Sequence, residues 1–224
     1  MNNILKGYPQ PKNPRYLTKN FRNLNDRITA YKKDIRFYNG SRSTGYGGFK
    51  DDGRWKKIAE NCIDLYKLKK RSKVLHLNCD YGFLINEIKM INHEIDVYGS
   101  EYSKYAYKKI PKKLKKNVYF DDPRNIEFPN NFFDLVIGLS VIYTFNIPDC
   151  INLLKKISKI SKNNNSFITL AAYRTKAEYE LFNNWTLLGN LCLKRKEWFA
   201  IMKEANYKGD YLFIDSNYLS LKFK

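Results

Sequence analysis

Along the chain the apolar positions switch repeatedly between two periods. Residues 55–68 (WKKIAENCIDLYKL) set Trp55, Ile58, Ala59, Cys62, Ile63, Leu65 and Tyr66 mostly on one face of a helix. Residues 73–79 (KVLHLNC) are a short apolar run ending in a turn, and 82–91 return to helical spacing. A second apolar run, 95–101, ends in an acid, followed by a helical stretch at 102–110 and strand-like residues at 117–120. The strongest run, 132–140 (FFDLVIGLS), leads to an amphipathic helix at 149–160 and a further strand at 166–173. Strand and helix alternating at this spacing imply right-handed crossovers. The pattern predicts an α/β fold, a doubly wound and mostly parallel sheet covered by helices on both faces.

Both ends of the chain depart from this alternation. Residues 1–14 show no periodicity and are expected as a loose arm; 15–37 carry apolar residues three or four apart, which suggests a helix or an arm lying on the domain. Residues 38–54 (YNGSRSTGYGGFKDDGR) interleave five glycines with aromatic and charged residues, which permits positive φ and close approach to a bound molecule. Near the other end, 194–207 reads as a helix and 209–224 as two strands around Asp215-Ser216-Asn217, an antiparallel hairpin completing a seven-stranded sheet. Residues 174–193 form an insertion of the kind that shapes a pocket. The expected division is an N-terminal arm and aromatic-glycine segment at 1–54, and a Rossmann-like domain at 55–224.

The 224 residues carry 41 Lys+Arg against 22 Asp+Glu, a formal charge of +19. Such an excess is the usual footprint of a nucleic-acid partner. Lys outnumbers Arg about threefold, however, and accompanies Asn and Ile throughout, so a coding bias explains it better than phosphate recognition does. No apolar stretch reaches the roughly 20 residues of a membrane span, and the N-terminus lacks the apolar core of a signal peptide. Cys62, Cys79, Cys150 and Cys192 are scattered and make no C-x-x-C pair, so no metal cluster or disulfide framework is expected. They read as reduced thiols of a cytoplasmic protein.

In an open parallel sheet, ligands bind beyond the carboxyl ends of the strands, where strand order reverses. The first such loop, 78–82, ends on Gly82 and brings main-chain N–H groups and a helix dipole to the site. Nineteen residues later, Glu101 stands where an acid could accept both hydroxyls of a ribose. Asp121 and Asp122 lie where a carboxylate could take an adenine amine.

These residues resemble the class I methyltransferases that use S-adenosylmethionine. The resemblance is carried by VLHLNCDYGFL, VYGSEYS, FDDPRNIEFPNNFFDLVIGLSVIYTF, the terminal GDYLFI and the N-terminal RSTGYGGFKDDGRWK, and it spans roughly residues 40–215. It implies a cofactor site made by Arg42, Tyr46, Gly47, Asn78, Asp80, Gly82, Glu101, Tyr102, Asp121, Asp122 and Leu139, with Arg42 toward the methionine carboxylate. Tyr143, Tyr173, Arg174, Glu178 and Trp185 lie on loops of the open side and suit a small-molecule acceptor such as a sugar. The first loop departs from the family's acid-x-Gly-x-Gly-x-Gly: the corresponding positions are His76, Asn78, Asp80 and Gly82. Asp80 could repel the cofactor's carboxylate or reach its ammonium, and if Asp122 is the adenine acid, Pro123 after it has no N–H to offer. No catalytic base is assigned; His76 is a candidate base or a packed strand-end residue. The Asn/Asp-Pro-Pro-aromatic loop of base amine methylation is missing after the fourth strand, where LSVIYTFN stands, and the cysteine of cytosine-carbon methylation is missing too. Two expectations follow: methyl transfer to an oxygen or nitrogen of a small molecule, or a methyltransferase-like binding module without transfer activity.

Overall fold

The computed structural model describes residues 1–224. Three short elements come first: β1 (Arg15–Leu17), α1 (Leu24–Tyr31) and α2 (Ile35–Asn39). The alternating body follows as α3 (Arg54–Leu65), β2 (Lys73–His76), α4 (Phe83–Ile91), β3 (Asp96–Ser100), α5 (Lys104–Lys109), α6 (Lys112–Lys115), β4 (Val118–Tyr119), β5 (Leu135–Gly138), α7 (Ile147–Ile160) and β6 (Ser166–Tyr173). Then come α8 (Lys176–Trp185), β7 (Leu193–Lys194), α9 (Arg195–Glu204), β8 (Asp210–Ile214) and β9 (Leu221–Phe223).

Seven strands form one sheet in the order β4-β3-β2-β5-β6-β7, with β8 also paired to β6. Strand order reverses between β2 and β5, the switch point at which a ligand site is expected. Side chains alternate between the two faces and both are buried. Leu75 and Val136 join α7 and α9 in one core, while Val74, Leu135 and Ile137 join α3 and α4 in the other. This two-sided burial explains why the strands read as continuous apolar runs. Two caps set the helices at the switch point. Gly82, at φ 75°, opens α4, and Asn146 accepts the Asp149 N–H at 2.9 Å to open α7. No helix is long and apolar enough to cross a membrane.

Three expectations need correction. Residues 1–14 are not a loose arm: Ile4 is fully buried beside Ile58 and Cys62, and Asn61 Nδ2 donates to the carbonyls of Ile4 (2.8 Å) and Lys6 (2.7 Å). Residues 15–37 are no single helix, because Arg15–Leu17 is a strand and Lys33, at φ 42°, separates α1 from α2. The terminal antiparallel hairpin does not form. β8 runs parallel to β6, from Phe167 opposite Asp210 to Ala171 opposite Ile214, and β9 pairs in parallel with β1. The connection explains this: Asp215 Oδ1 accepts the Tyr218 N–H (2.9 Å) and the Ser216 carbonyl accepts the Leu221 N–H (2.8 Å). That turn carries the last strand off the sheet to the N-terminal edge.

Candidate active site

The loop after β2 keeps a left-handed backbone without its glycines. Asn78 (φ 53°), Asp80 (φ 51°) and Gly82 (φ 75°) all have positive φ, and Asn and Asp are the non-glycine residues that tolerate this region best. The side chains that replace hydrogen atoms here then fill space a ligand would otherwise have.

Glu101, at the end of β3, is fully buried and turned toward this loop. Its Oε2 accepts the Asp80 N–H (2.8 Å) and its Oε1 the Ser103 N–H (2.6 Å). Into the same spot comes Lys33, 2 % exposed. Its ammonium donates to Asn78 Oδ1 (3.0 Å) and lies 3.5 Å from Asp80 Oδ1, 3.7 Å from Glu101 Oε1 and 4.5 Å from the Tyr102 ring centre. The Lys33 carbonyl accepts the Ser103 hydroxyl (2.6 Å), which anchors its main chain as well. Burial works against the Lys33 charge, and Asp80 and Glu101 outweigh it, so its pKa stays above the ordinary lysine value. Burial pushes the Glu101 carboxyl up to about 7 against the pull of Lys33. Two carboxyl groups thus share one ammonium.

The aromatic-glycine segment packs over this loop as a ring cluster. The Tyr38 hydroxyl donates to Asp80 Oδ1 (2.7 Å) and its ring stacks on Tyr81, centres 5.0 Å apart. Tyr46 reaches Asp80 Oδ2 at 3.4 Å and meets Phe49 at 4.4 Å. Gly47 has a left-handed backbone (φ 68°), and a Cβ there would fall 2.3 Å from Arg42 Cδ.

Beyond Lys33 lies a cavity of about 390 Å³, bordered on one side by the strand-tip residues Asn78, Asp80, Leu139 and Ser140. Of the residues the sequence assigns to a cofactor, Arg42, Tyr46, Asn78, Asp80 and Leu139 border it. Gly47, Gly82, Glu101 and Tyr102 do not. Asp121 and Asp122 are also absent from its wall: Asp122 is held by Arg124 (2.9 Å), and Asp121 accepts the Asn125 amide (3.0 Å). Of the acceptor set, Tyr143 and Trp185 line the cavity. Tyr173 packs on Tyr179, and Arg174 pairs with Glu178 at 2.7 Å around the first turn of α8, a helix-end arrangement away from the cavity. His76 is 5 % exposed and does not line this cavity; burial pushes its pKa down to about 4, which makes it a packed neutral residue. Lys33, Arg15 and Arg22 were missed by sequence reasoning. Nothing in YKKD distinguishes Lys33 from thirty other lysines.

No protein-family model matches the sequence, and no curated protein does. Solved structures do match in shape. A SAM-dependent methyltransferase from Leishmania major superposes with a TM-score of 0.55 at 11 % identity, covering 81 % of this chain and 72 % of that one. The fold is that of the class I methyltransferases. The YcgJ protein of Bacillus subtilis gives 0.53 at 14 % identity over 66 % of each chain. The 4+2 cyclase SpnF gives 0.54 at 14 % identity, covering 87 % of this chain and 74 % of its own. A cyclase among the structures of similar shape means that this architecture does not by itself fix the reaction.

Proposed function

We propose that the protein is an S-adenosylmethionine-dependent methyltransferase acting on an oxygen or nitrogen of a small molecule, such as a sugar. The observation that carries this reading is the Lys33 ammonium at the strand tips. The side chains of Asn78, Asp80 and Glu101 form a set of acceptors for ammonium and hydroxyl donors, and Lys33 stands in for them. The chemistry of the set fits the cofactor's amino and ribose groups, while the space is taken. S-adenosylmethionine would supply an electrophilic methyl group. It carries one net positive charge, so its exchange for the Lys33 ammonium leaves the charge around the two carboxyl groups balanced. The demethylated product is neutral and does not balance it. In this reading Glu101 and Asp80 hold the nucleoside and amino ends, Tyr46 and Leu139 border the methyl-transfer space, and Tyr143 and Trp185 border the acceptor. Methyl transfer then needs alignment and exclusion of water more than a strong base. The unpaired thiols of Cys62, Cys79 and Cys150, all buried, are in keeping with a cytoplasmic protein.

A second reading has a specific observation behind it. The same Lys33, nearly inaccessible and anchored through its main chain, would suit a module that has exchanged cofactor binding for an internal ion cluster. Calorimetric titration separates the two. S-adenosylmethionine is expected to bind the wild type weakly, Lys33→Ala about tenfold more tightly, and Glu101→Ala not at all, with S-adenosylhomocysteine weaker throughout. An absence of heat with either ligand in both wild type and Lys33→Ala, with circular dichroism unchanged, would establish the module.

A further inference from the structure

Four of the ten arginines border the cavity, whereas Lys33, already held by two carboxyl groups, is its one lysine. In a chain where lysine is three times commoner, that is an inversion of the background. Arg54 is paired with Asp52. Arg15, Arg22 and Arg42 form no ion pair. Their donors go to main-chain carbonyls: Arg15 to Leu219 (3.2 Å), Arg22 to Trp185 and to Arg42 (3.2 Å), and Arg42 to Tyr46 (2.6 Å). Neutral carbonyls orient these groups without offsetting their charge.

Arg22 is the most telling of the three. It is 9 % exposed, and its Nε is buried with no partner. Burial, with Arg42 and Arg27 nearby, pushes its pKa down to about 10. The guanidinium lies over the Trp185 ring at 4.4 Å, and that of Arg15 lies over the same ring at 5.1 Å. Burying a cation that lacks a counter-charge is costly, and a bound anion removes the cost. A methionine carboxylate supplies a single negative charge; three free guanidinium groups call for more. Their planar forks match phosphate oxygens, which a lysine would meet only as a point charge.

We propose that the Arg15, Arg22 and Arg42 end of the cavity binds the phosphate groups of a phosphorylated small molecule. Trp185, Tyr143 and Phe182 wall the space for its body. That this molecule is the methyl acceptor rests on the function proposed above; its binding does not.

The test is calorimetry of the full chain with inorganic pyrophosphate in about 0.2 M salt, which suppresses diffuse binding to the basic surface. One site of submillimolar affinity is expected, weakened about tenfold in Arg22→Gln and in Arg42→Gln and unchanged in Lys155→Gln, a substitution of an exposed lysine elsewhere. Arg42 is exposed, so its variant remains informative if Arg22→Gln fails to fold. No binding in the wild type, or the same loss in Lys155→Gln as in Arg42→Gln, overturns the proposal, as does displacement of pyrophosphate by duplex DNA. Pyrophosphate bound without any response to S-adenosylmethionine keeps this site and removes the transferase. The reverse result keeps the transferase and removes this site.

Discussion

At the tips of β2 and β3 a single ammonium serves two carboxyl groups, and this arrangement makes a pH dependence. The Glu101 carboxyl rises from 4.5 to about 7, chiefly through burial, so the folded protein holds a proton that the unfolded chain has released between those values. The stability this contributes is complete below the lower value and lost as pH rises through the upper one. His76 works in the opposite sense: its pKa falls from 6.5 to about 4, so its contribution is present above 6.5 and lost as pH falls toward 4. The two overlap in mild acid, and only Glu101 acts from pH 6.5 upward. Thermal melts are therefore expected to show wild-type stability declining between pH 6.5 and 8, and Glu101→Gln nearly flat over that range. Equal slopes in the two proteins would mean that Glu101 is already ionised in the folded state. The position of Glu101 was legible in the sequence because an acid ended an apolar run. Its partner was not, since Lys33 lies 68 positions away along the chain.

The elements that alternate in sequence were read correctly because each strand is covered on both faces and each helix shows one apolar face. Thus 149–160 became Ile147–Ile160, and 166–173 became Ser166–Tyr173. What escaped was pairing between the ends. β1 and β9 have three residues each, too few to show a period, and they meet only after the turn at 215–220 sends the chain back. The N-terminal segment escaped for a related reason: its contacts come from isolated apolar residues in a polar stretch, of which only Ile4 is buried. Ile4 is fully buried among the side chains of the α3 layer. Ile4→Ala removes buried methyl and methylene groups and leaves a cavity, a loss of about 2–4 kcal/mol. Urea unfolding monitored by circular dichroism measures this, and a loss under about 0.5 kcal/mol, typical of surface sites, would show that the segment is not anchored there.

For the whole molecule, the charge of +19 acts at two scales that experiment can separate. Cations held inside the molecule are few and specific: buried Lys33 faces carboxyl groups, while buried Arg22 and half-buried Arg15 face the cavity. The lysines around α5 and α6 are different, with Lys108, Lys109, Lys112, Lys113 and Lys116 exposed and without carboxylate partners. Such a patch attracts any polyanion by releasing counterions. If three or four lysines touch phosphates, duplex affinity falls about 40- to 150-fold between about 50 and 200 mM salt. Binding of this kind has no reason to sense the cavity. Fluorescence anisotropy with a short duplex is expected to give that slope for the wild type, for Glu101→Ala and for Arg22→Gln alike, and a shallower one when Lys112 and Lys113 are both replaced by glutamine. A salt-resistant fraction that disappears in Arg22→Gln would reverse the assignment. The nucleic acid would then be entering the cavity, and the three guanidinium groups would serve a polymer instead of a small molecule.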